Sequence, residues 1–198
     1  MKFDVIIIGG GFSGMIAATV LQQAGLRCAV VAEGLSLSDA PRDDFRLAGG
    51  TLLAGDTVTG GEFEGELLKG IHTKKLEGVL LEASQFVLAT GKYFSRGLIA
   101  DMDGIREPIF GLDVEYDSDR TKWVDPDFAA RQRFLDFGLR TEGGLAVRGG
   151  TVIRNLRPVG EILAGVNITL PGAQETIRKS ALDAAGEIIK ATQRHAEE

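Results

Sequence analysis

The sequence predicts an α/β fold, with helices on both faces of a parallel sheet that carries a small antiparallel insertion. Three observations support this prediction. An apolar run, residues 5–8, stops at three consecutive glycines and leads into helical periodicity. A second apolar run, residues 28–32, follows within about thirty residues, which is the length of one βαβ unit. Residues 51–83 then alternate between apolar and polar side chains, as antiparallel strands do.

The βαβ unit occupies the start of the chain. Residues 3–8 form a continuous apolar strand, typical of a parallel sheet covered on both faces. Residues 12–24 carry apolar side chains at helical spacing, and Gly25 is a natural helix stop. The second strand, residues 28–32, ends at Glu33. The crossover between the two strands is expected to be right-handed.

The middle of the chain predicts a linker and a β-meander. Residues 34–50 are polar and rich in proline and glycine, which predicts a loop or a short helix. Three short strands are expected over residues 52–59, 61–73 and 75–82, with turns at Gly60-Gly61 and Thr73-Lys74. A further apolar strand, residues 86–89, ends at Thr90-Gly91.

The last part of the chain predicts two helices and one strand. Residues 127–137 have helical periodicity and stop at Gly138, and residues 173–192 predict a last helix followed by a frayed tail. A strand is expected to end near Val159. The apolar side chains expected to seat the middle segment on the core are Trp123, Phe128, Phe134, Leu135 and Phe137.

Composition excludes several classes of function. The chain has 198 residues and a net charge of −6, so nucleic acid, which needs a basic binding face, is not an expected partner. No signal peptide and no stretch of about 20 apolar residues is visible, which predicts a cytoplasmic protein that meets a membrane only through a partner. The single cysteine, Cys28, can form neither an internal disulfide nor a zinc site, and its apolar neighbours favour a buried thiol.

The glycine-rich turn after the first strand carries the main functional signal. Gly9, Gly11 and Gly14 form a G-x-G-x-x-G pattern between a strand and a helix, the context in which this motif binds a dinucleotide. Gly9 permits the tight turn, Gly11 lets the backbone approach a pyrophosphate, and Gly14 lets the helix pack closely. Phe12 and Ser13 open the helix, whose N-terminus attracts phosphate, and Ser13 could add a hydroxyl contact.

Glu33 supports the same interpretation. It closes the second strand about 20 residues beyond the glycines, where an acidic side chain binds the ribose hydroxyls of the adenosine half. A carboxylate there disfavours a 2′-phosphate and therefore NADP. The structural alternative is a glycine-rich turn that only packs a helix, with Glu33 in solvent.

The meander and the motif FVLATG (residues 86–91) resemble flavoproteins of the glutathione-reductase type. This resemblance implies a Rossmann-like FAD-binding fold, in which Thr90 and Gly91 belong to an A-T-G signature and a backbone contact to the adenine falls near Val58. It also implies a third signature near the C-terminus. The residues matching that signature are Gly160, Glu161 and Ala173, the first residue of the last helix.

A narrower resemblance is to the B subunit of anaerobic glycerol-3-phosphate dehydrogenase. The runs that carry it are GLRCAVVAEG (residues 25–34) and GIREPIFGLDV (residues 104–114). The resemblance implies a flavin-dependent oxidoreductase subunit that passes electrons from glycerol 3-phosphate towards a quinone-linked acceptor. It implies a larger catalytic partner subunit, and an iron–sulfur subunit that attaches the pair to the inner membrane.

The chain also departs from that family. Family members are longer, and the missing part lies between Glu33 and the meander, so residues 34–50 are interpreted as a truncated linker in place of a substrate or lid domain. The expected organisation is a single FAD-binding domain, residues 1–198, with the meander at 51–83. Gln174, Glu175 and Thr176 stand where the family has glycines. A second hypothesis is therefore a reduced, non-catalytic scaffold or partner subunit that binds flavin weakly or not at all.

The complete glycine motif favours FAD over FMN because it recognises a pyrophosphate, and the resemblance leaves FMN open. No catalytic residue can be assigned. The only histidines, His72 and His195, lie in the meander and in the tail, and no nucleophile–base pair can be assembled. Four charged residues that follow the A-T-G strand could line a flavin edge or a partner surface, or could simply be solvated or ion-paired: Lys92, Arg96, Arg106 and Glu107.

Overall fold

The computed structural model describes residues 1–34 and 40–197. Its strands are β1 (Lys2–Ile8), β2 (Cys28–Ala32), β3 (Thr51–Ala54), β4 (Val58–Glu64), β5 (Leu67–Thr73), β6 (Leu81–Leu88), β7 (Ile99–Asp101), β8 (Gly104–Arg106), β9 (Val114–Glu115), β10 (Gly138–Leu139), β11 (Thr141–Glu142), β12 (Leu145–Arg148), β13 (Thr151–Val152) and β14 (Leu156–Pro158). The α-helices are α1 (Phe12–Gln23), α2 (Ala40–Leu47) and α3 (Ala173–Glu197).

One seven-stranded mixed sheet organises the chain, in the order β3-β2-β1-β6-β5-β4, with β14 also paired to β6. Strands β1, β2, β3, β6 and β14 run parallel, so their carboxyl ends share one edge of the sheet. Strands β4 and β5 extend the sheet antiparallel to β6. The buried parallel strands are almost wholly apolar, as expected for strands covered on both faces. The predicted Rossmann-like α/β fold is confirmed.

The antiparallel insertion differs from the prediction in its strand boundaries. Its third strand is β6 itself, which joins residues 81–82 of one predicted strand to residues 86–88 of the next, whereas residues 75–80 lie outside any strand. Strand β3 is not part of the insertion but pairs in parallel with β2. Gly60-Gly61 is not a turn but lies inside β4, where the pairing register with β5 shifts. A Cβ atom on Gly61 would lie 2.7 Å from the Leu68 side chain, so the glycine serves close packing. The turn of this hairpin falls at Gly65, which has φ +58°.

The described α-helices pack on one face of the sheet, whereas the sequence predicted helices on both faces. Val5 and Ile7 of β1 join the cluster formed with these helices, which includes Leu21 of α1 and Ile188 of α3. Ile6, on the opposite face, joins a second cluster with the side chains of residues 98–162. Short strands and loops from the second half of the chain therefore take the place of the second helical layer.

The predicted helix over residues 127–137 is wrong. Only residues Arg133–Asp136 form a short 3₁₀ helix there. The carboxylates of Asp125 and Asp127 accept hydrogen bonds from the backbone N–H groups of Asp127 and Ala129, and the Gln132 amide donates to nearby carbonyl oxygens. These local bonds compete with helical ones. Phe128 is consequently 91% exposed and does not reach the core, unlike Trp123 and Phe137.

The last helix is longer than predicted, and the linker contains a short helix, one of the two alternatives predicted for it. Helix α3 begins at Ala173, as predicted, but continues past Thr192 to Glu197 instead of fraying. Residues 35–39 of the predicted truncated linker lie outside the described residues, and Ala40–Leu47 forms α2. Phe45 of α2 is fully buried against Gly50, where any Cβ atom would overlap the ring. None of the helices in the described ranges has the length and hydropathy that a bilayer crossing requires.

Candidate functional site

A cavity of about 870 Å³ opens at the carboxyl edge of the parallel sheet, the edge where open α/β folds bind ligands. The strand ends that form its floor are joined by backbone hydrogen bonds. The Gly9 N–H donates to the Val31 oxygen at 2.8 Å, and the Ala89 N–H donates to the Ile8 oxygen at 2.7 Å. The glycine turn, the end of β2 and the A-T-G segment therefore meet at one place.

Gly9 and Gly14 make this meeting possible. Gly9 has φ +108°, and a Cβ atom there would overlap the Ala89 carbonyl. A Cβ atom on Gly14 would overlap the Gly9 carbonyl and lie 3.1 Å from the Ala89 Cβ. Gly14 is buried and does not line the cavity. Both glycines are thus explained by close packing of α1 against the strand ends.

Gly11 differs, because the space beside it is open. It is the N-cap residue of α1, and a Cβ atom there would meet no described atom within 4 Å. No side chain caps this helix, and its first turn contains no acidic residue. Gly11, the half-exposed Phe12 and the buried Ser13 all line the cavity. The positive end of the helix therefore faces the cavity without a competing carboxylate from its own first turn.

One wall of the cavity follows β2 and β3, and we call it the β2–β3 wall: Glu33, Gly34, Asp56, Thr57 and Val58. Glu33 is exposed and comes directly after β2, as predicted for a ribose-binding acid. The Oδ1 atom of Asp56 accepts hydrogen bonds from the N–H groups of Thr57 at 2.8 Å and Lys75 at 2.9 Å. Burial opposes ionisation of Asp56, but the hydrogen bonds from Thr73, Lys75 and Thr57 hold its pKa below the usual value. Asp56 thereby fixes the backbone that leads to Val58.

A second wall follows β6 and β14, and we call it the β6–β14 wall: Thr90, Gly91, Ser95, Arg96 and Glu161. The Ser95 hydroxyl donates to the Thr90 carbonyl oxygen at 2.5 Å, and the Gly97 N–H donates to the Lys92 oxygen at 2.9 Å. Within this tight loop, Arg96 has φ +60°. The Thr90 hydroxyl is buried and has no hydrogen-bond partner among the described residues.

Two charged residues near the A-T-G strand are buried rather than solvated. The Lys92 ammonium donates to the carbonyl oxygens of Leu135 at 2.6 Å and Val166 at 2.5 Å. Burial lowers the pKa of Lys92 to about 8, while the charges of Asp136 and Glu161 act in the opposite direction.

Glu107 is the second buried charge. Its carboxylate accepts hydrogen bonds from the backbone N–H groups of Ile109 at 2.9 Å and Phe110 at 2.7 Å. Burial raises the pKa of Glu107, although these bonds favour the ionised form. The run GIREPIFGLDV thus contains a turn closed by its own glutamate, and Pro108 and Ile109 of that turn line the cavity.

Nine of the predicted cofactor-binding residues line this one cavity: Gly9, Gly11, Phe12, Ser13, Glu33, Val58, Thr90, Gly91 and Glu161. Gly14, Gly160 and Ala173 do not line it. Gly160 has φ +82° and leaves no room for a Cβ atom beside Ser13, and its N–H donates to the Ser180 hydroxyl of α3 at 2.9 Å. It therefore joins the end of β14 to α1 and α3 behind the cavity.

Several lining residues were missed by the sequence predictions, among them Asp56, Phe94, Pro108, Ile109, Gln174 and Ile177. Asp56 follows a glycine and precedes a threonine, a pattern typical of a side-chain-capped turn, and could have been found on that basis. Gln174 and Ile177 lie one turn apart on α3, so both face the cavity once the start of that helix is known.

His72 and Cys28 do not line the cavity. The His72 Nε2 atom lies 2.9 Å from Glu62 Oε1 on the exposed part of β5, away from the cavity. His195 lies in α3, and its side chain is outside the described part of the structure. Cys28 is buried, as predicted, and burial raises the pKa of its thiol to about 12. The described residues contain no cluster of metal-ligating side chains.

The cavity fits a dinucleotide such as FAD. Its volume lies within the range of about 300–1,000 Å³ that is usual for ligand sites. Gly11 leaves open space at the uncapped helix N-terminus, where a diphosphate would approach. The Thr90 hydroxyl is a buried polar group in the cavity wall that lacks a partner among the described residues.

Comparison with known families gives the same assignment. A family model described as an FAD binding domain matches residues 4–42 and 35–177. A thioredoxin reductase from Gloeobacter violaceus is similar in structure, with a TM-score of 0.59 over 98% of this chain and 95% of that one. Its sequence identity is 11%, so this similarity concerns the fold alone.

Curated relatives are more similar in sequence. The B subunit of anaerobic glycerol-3-phosphate dehydrogenase from Vibrio cholerae serotype O1 is 40% identical over 142 residues, which cover 70% of this chain and 33% of that protein. The subunit with the same name from Aliivibrio fischeri is 39% identical over 174 residues, which cover 81% of this chain and 38% of that protein. The resemblance predicted from the sequence is confirmed, and the chain spans little more than a third of the length of these relatives.

Proposed function

Because the chain belongs to the FAD binding domain family, we propose that it is the flavin-binding subunit of a dehydrogenase that oxidises glycerol 3-phosphate. It is an FAD-binding flavoprotein related to the B subunit of anaerobic glycerol-3-phosphate dehydrogenase. In this proposal the electrons pass towards a quinone-linked acceptor through partner subunits. The names of the curated relatives, which are themselves subunits, support both the substrate and the partners.

The observation that carries the proposal is the open space beside Gly11. The uncapped helix N-terminus favours an anion, and Gly11 leaves room for one, whereas Gly9 and Gly14 are required by close packing. A diphosphate placed here would direct the adenosine half towards Glu33 and Val58. The flavin would then lie towards the β6–β14 wall and Glu161.

The residues of this chain would bind and orient the cofactor, which when bound supplies the redox chemistry. Glu33 would accept hydrogen bonds from the ribose hydroxyls. Asp56 would hold the backbone of Thr57 and Val58 against the adenine through its bonds to that segment. Glu161 and the start of α3 would contact the ribityl chain and the flavin ring.

A second candidate function is a scaffold or partner subunit that binds flavin weakly. The described residues offer no histidine in the cavity, and Gln174 occupies a cavity position where the relatives' family pattern predicts glycine. The two candidates differ in whether the purified chain holds flavin. A yellow protein with flavin absorbance supports the dehydrogenase subunit, and a colourless protein that FAD does not stabilise supports the scaffold.

Gly11→Val is the variant that tests the site. The free protein has room for a Cβ atom here, so we expect native circular dichroism without cofactor, with a slightly lower unfolding midpoint because valine is a poorer N-cap residue than glycine. The valine would fill the space that the diphosphate needs, so FAD binding measured by equilibrium dialysis should be lost.

Gly60→Val is the matched control. Gly60 also has no described atom within 4 Å of a built Cβ atom, but it lies outside the cavity lining. This variant should bind FAD as the unmodified chain does. Full FAD retention by Gly11→Val would place the diphosphate elsewhere and overturn the proposal.

A further inference from the structure

Arg96 adopts a backbone conformation that L-residues rarely use. Its φ of +60° is the only positive value of a non-glycine residue in the described part of the chain. Such strain destabilises the folded chain and persists where the surrounding structure enforces it, often at binding sites. Glycine would adopt the same φ with little steric strain, yet the residue at this position is arginine.

The loop around Arg96 is held on both sides. The Arg96 N–H donates to the Tyr93 oxygen at 3.2 Å, and the Ser95 hydroxyl donates to the Thr90 oxygen. Next in the chain, Gly97 is buried so closely against Gly91 that a Cβ atom would overlap the Gly91 carbonyl. The loop therefore fixes where the Arg96 side chain leaves the backbone, at the β6–β14 wall of the cavity.

The side chains that line the cavity carry more negative than positive charge. Three acidic side chains line the cavity, namely Glu33, Asp56 and Glu161, and within the described lining Arg96 is the single cationic residue. A bound diphosphate or a phosphorylated substrate would add further negative charge to the same space. Electrostatic repulsion from the three carboxylates would oppose that binding, and a cation beside the anion would offset it together with the partial charge of the α1 N-terminus.

Arg96 has a free guanidinium, whereas other arginines of this layer are engaged. Arg106 Nε lies 3.2 Å from Asp101 Oδ2, and Arg120 donates to the Asp101 carbonyl at 2.6 Å. Among the residues that the structure describes, no ion pair or hydrogen bond involves the Arg96 guanidinium. Its exposed, planar group keeps all its donors for a ligand, and guanidinium binds phosphate through two parallel hydrogen bonds.

We infer that Arg96 is a phosphoryl-binding residue, held in a strained backbone conformation so that its guanidinium meets an anion in the cavity. The inference rests on the proposed function, because the cavity is there assigned to FAD. The phosphoryl group has two sources in that setting, the diphosphate of FAD itself or the phosphate of a phosphorylated substrate. The chemistry of recognition is the same for both.

The first measurement compares Arg96→Gly with the unmodified chain for three flavins: FAD, FMN and riboflavin. Loss of a charge-assisted contact should weaken phosphoryl binding about tenfold or more. If Arg96 binds the cofactor, the affinities for FAD and FMN fall while the affinity for riboflavin, which has no phosphate, is unchanged. If Arg96 binds the substrate, all three affinities stay unchanged, and the second measurement then decides.

The second measurement titrates the FAD-loaded protein with glycerol 3-phosphate and, separately, with inorganic phosphate, and follows the flavin absorbance. A substrate-binding Arg96 predicts a response in the unmodified chain that is lost in Arg96→Gly. Arg96→Lys should retain part of either effect, because it keeps the charge and loses the planar fork. Arg106→Ala is the charge control and should behave as the unmodified chain in both measurements.

A third readout concerns the strain itself. Glycine accepts a positive φ without steric cost, so Arg96→Gly should raise the unfolding midpoint of the cofactor-free chain while it weakens phosphoryl binding. The inference is overturned if Arg96→Gly leaves all flavin affinities and both phosphate responses unchanged, or if it weakens riboflavin as much as FAD. If the unmodified chain itself binds no FAD, that result contradicts the proposed function, and it is distinguished from a failure of the Arg96 inference because it does not involve the variants.

Discussion

The buried ammonium group of Lys92 donates hydrogen bonds to two backbone carbonyl oxygens from later parts of the chain. A lysine in the run GKYFSRG favours a solvated loop, and nothing in its neighbours along the chain signals burial. Its two acceptors are the carbonyl oxygens of Leu135 and Val166, which are 43 and 74 residues away in sequence. Lys92 thereby joins the A-T-G segment to two later segments, and only the tertiary fold brings these three together.

Lys92→Met should change how stability depends on pH. Burial lowers the pKa of Lys92 from 10.5 to about 8, so between these pH values the unfolded chain binds more protons than the folded one. The free energy of unfolding should therefore rise with pH over this window, by up to about 3 kcal/mol from this residue. The buried Cys28 thiol, with its pKa raised to about 12, opposes this rise once the unfolded chain ionises near pH 9. Urea unfolding is therefore measured from pH 7.5 to 9, and over that window the rise should be absent in Lys92→Met.

Lys74→Met is the control for that measurement. Lys74 is exposed, so the pH-dependent rise should remain in this variant. An identical pH profile for Lys92→Met and the unmodified chain would show that the ammonium group is not the source of the dependence.

At the scale of elements, β6 is the strand that holds the sheet together. One edge of β6 pairs with β1 between Glu82 and Leu88, whereas the other edge pairs with β5 near Leu81 and with β14 near Phe86. Asn155 lies at the point where these two partners meet. Its side chain accepts from the Leu68 N–H at 2.9 Å, and donates to the oxygens of Leu68 at 2.8 Å and Ser84 at 3.2 Å. Asn155 therefore provides hydrogen-bond partners for backbone groups of β5 and β6 at the place where β5 and β14 meet, which we call the fork.

Asn155→Ala should lower the free energy of unfolding by about 3 kcal/mol, because the buried N–H and C=O groups of Leu68 lose their partners. Urea denaturation measures this loss, and hydrogen exchange at the Leu68 amide should become faster. Ser84→Ala removes an exposed side chain at the same fork but leaves its carbonyl in place, so it should be nearly neutral. Equal stability of the two variants would contradict the assigned role of Asn155.

Local sequence patterns predicted some elements well and others poorly. Strand β2 and the start of α3 agree with the prediction, since a continuous apolar run or a helical stripe carries its own boundaries. The boundaries of β3 to β6 were wrong because alternation identifies a half-buried strand without identifying its partner. The helix predicted over residues 127–137 was wrong because Asp127 and Gln132 bond to nearby backbone groups, which hydrophobic periodicity does not register.

The residues of the candidate site also divide into those that a local sequence pattern could place and those that depend on tertiary contacts. Gly9, Gly11 and Glu33 could be placed from one contiguous βαβ unit, where spacing alone determines position. Arg96, which the sequence offered only as one of four charged residues that could line a flavin edge, and Ile109, which it did not offer, both line the cavity. They lie in the layer of short strands and turns opposite the helices, which has no regular period in the sequence. Their roles depend on tertiary contacts, such as the Glu107 carboxylate that closes the turn containing Ile109.

At the scale of the whole molecule, the sheet separates two hydrophobic clusters of different construction. Cys28 belongs to the cluster on the face of the α-helices, and Trp123 belongs to the cluster on the face of the short strands. Each is the only residue of its type in the chain. The Trp123 ring is fixed by a 2.6 Å hydrogen bond from its Nε1–H to the Asp117 oxygen, and the Cys28 thiol is buried beside β1.

These two side chains are intrinsic reporters, one optical and one chemical, on opposite sides of the molecule. If both clusters unfold as a single cooperative unit, tryptophan fluorescence and thiol labelling should give the same urea midpoint. A lower midpoint for Trp123 than for Cys28 would instead show that the layer of short strands detaches while the helical side persists. The unmodified chain can thus report on the independence of its two halves, without an engineered label.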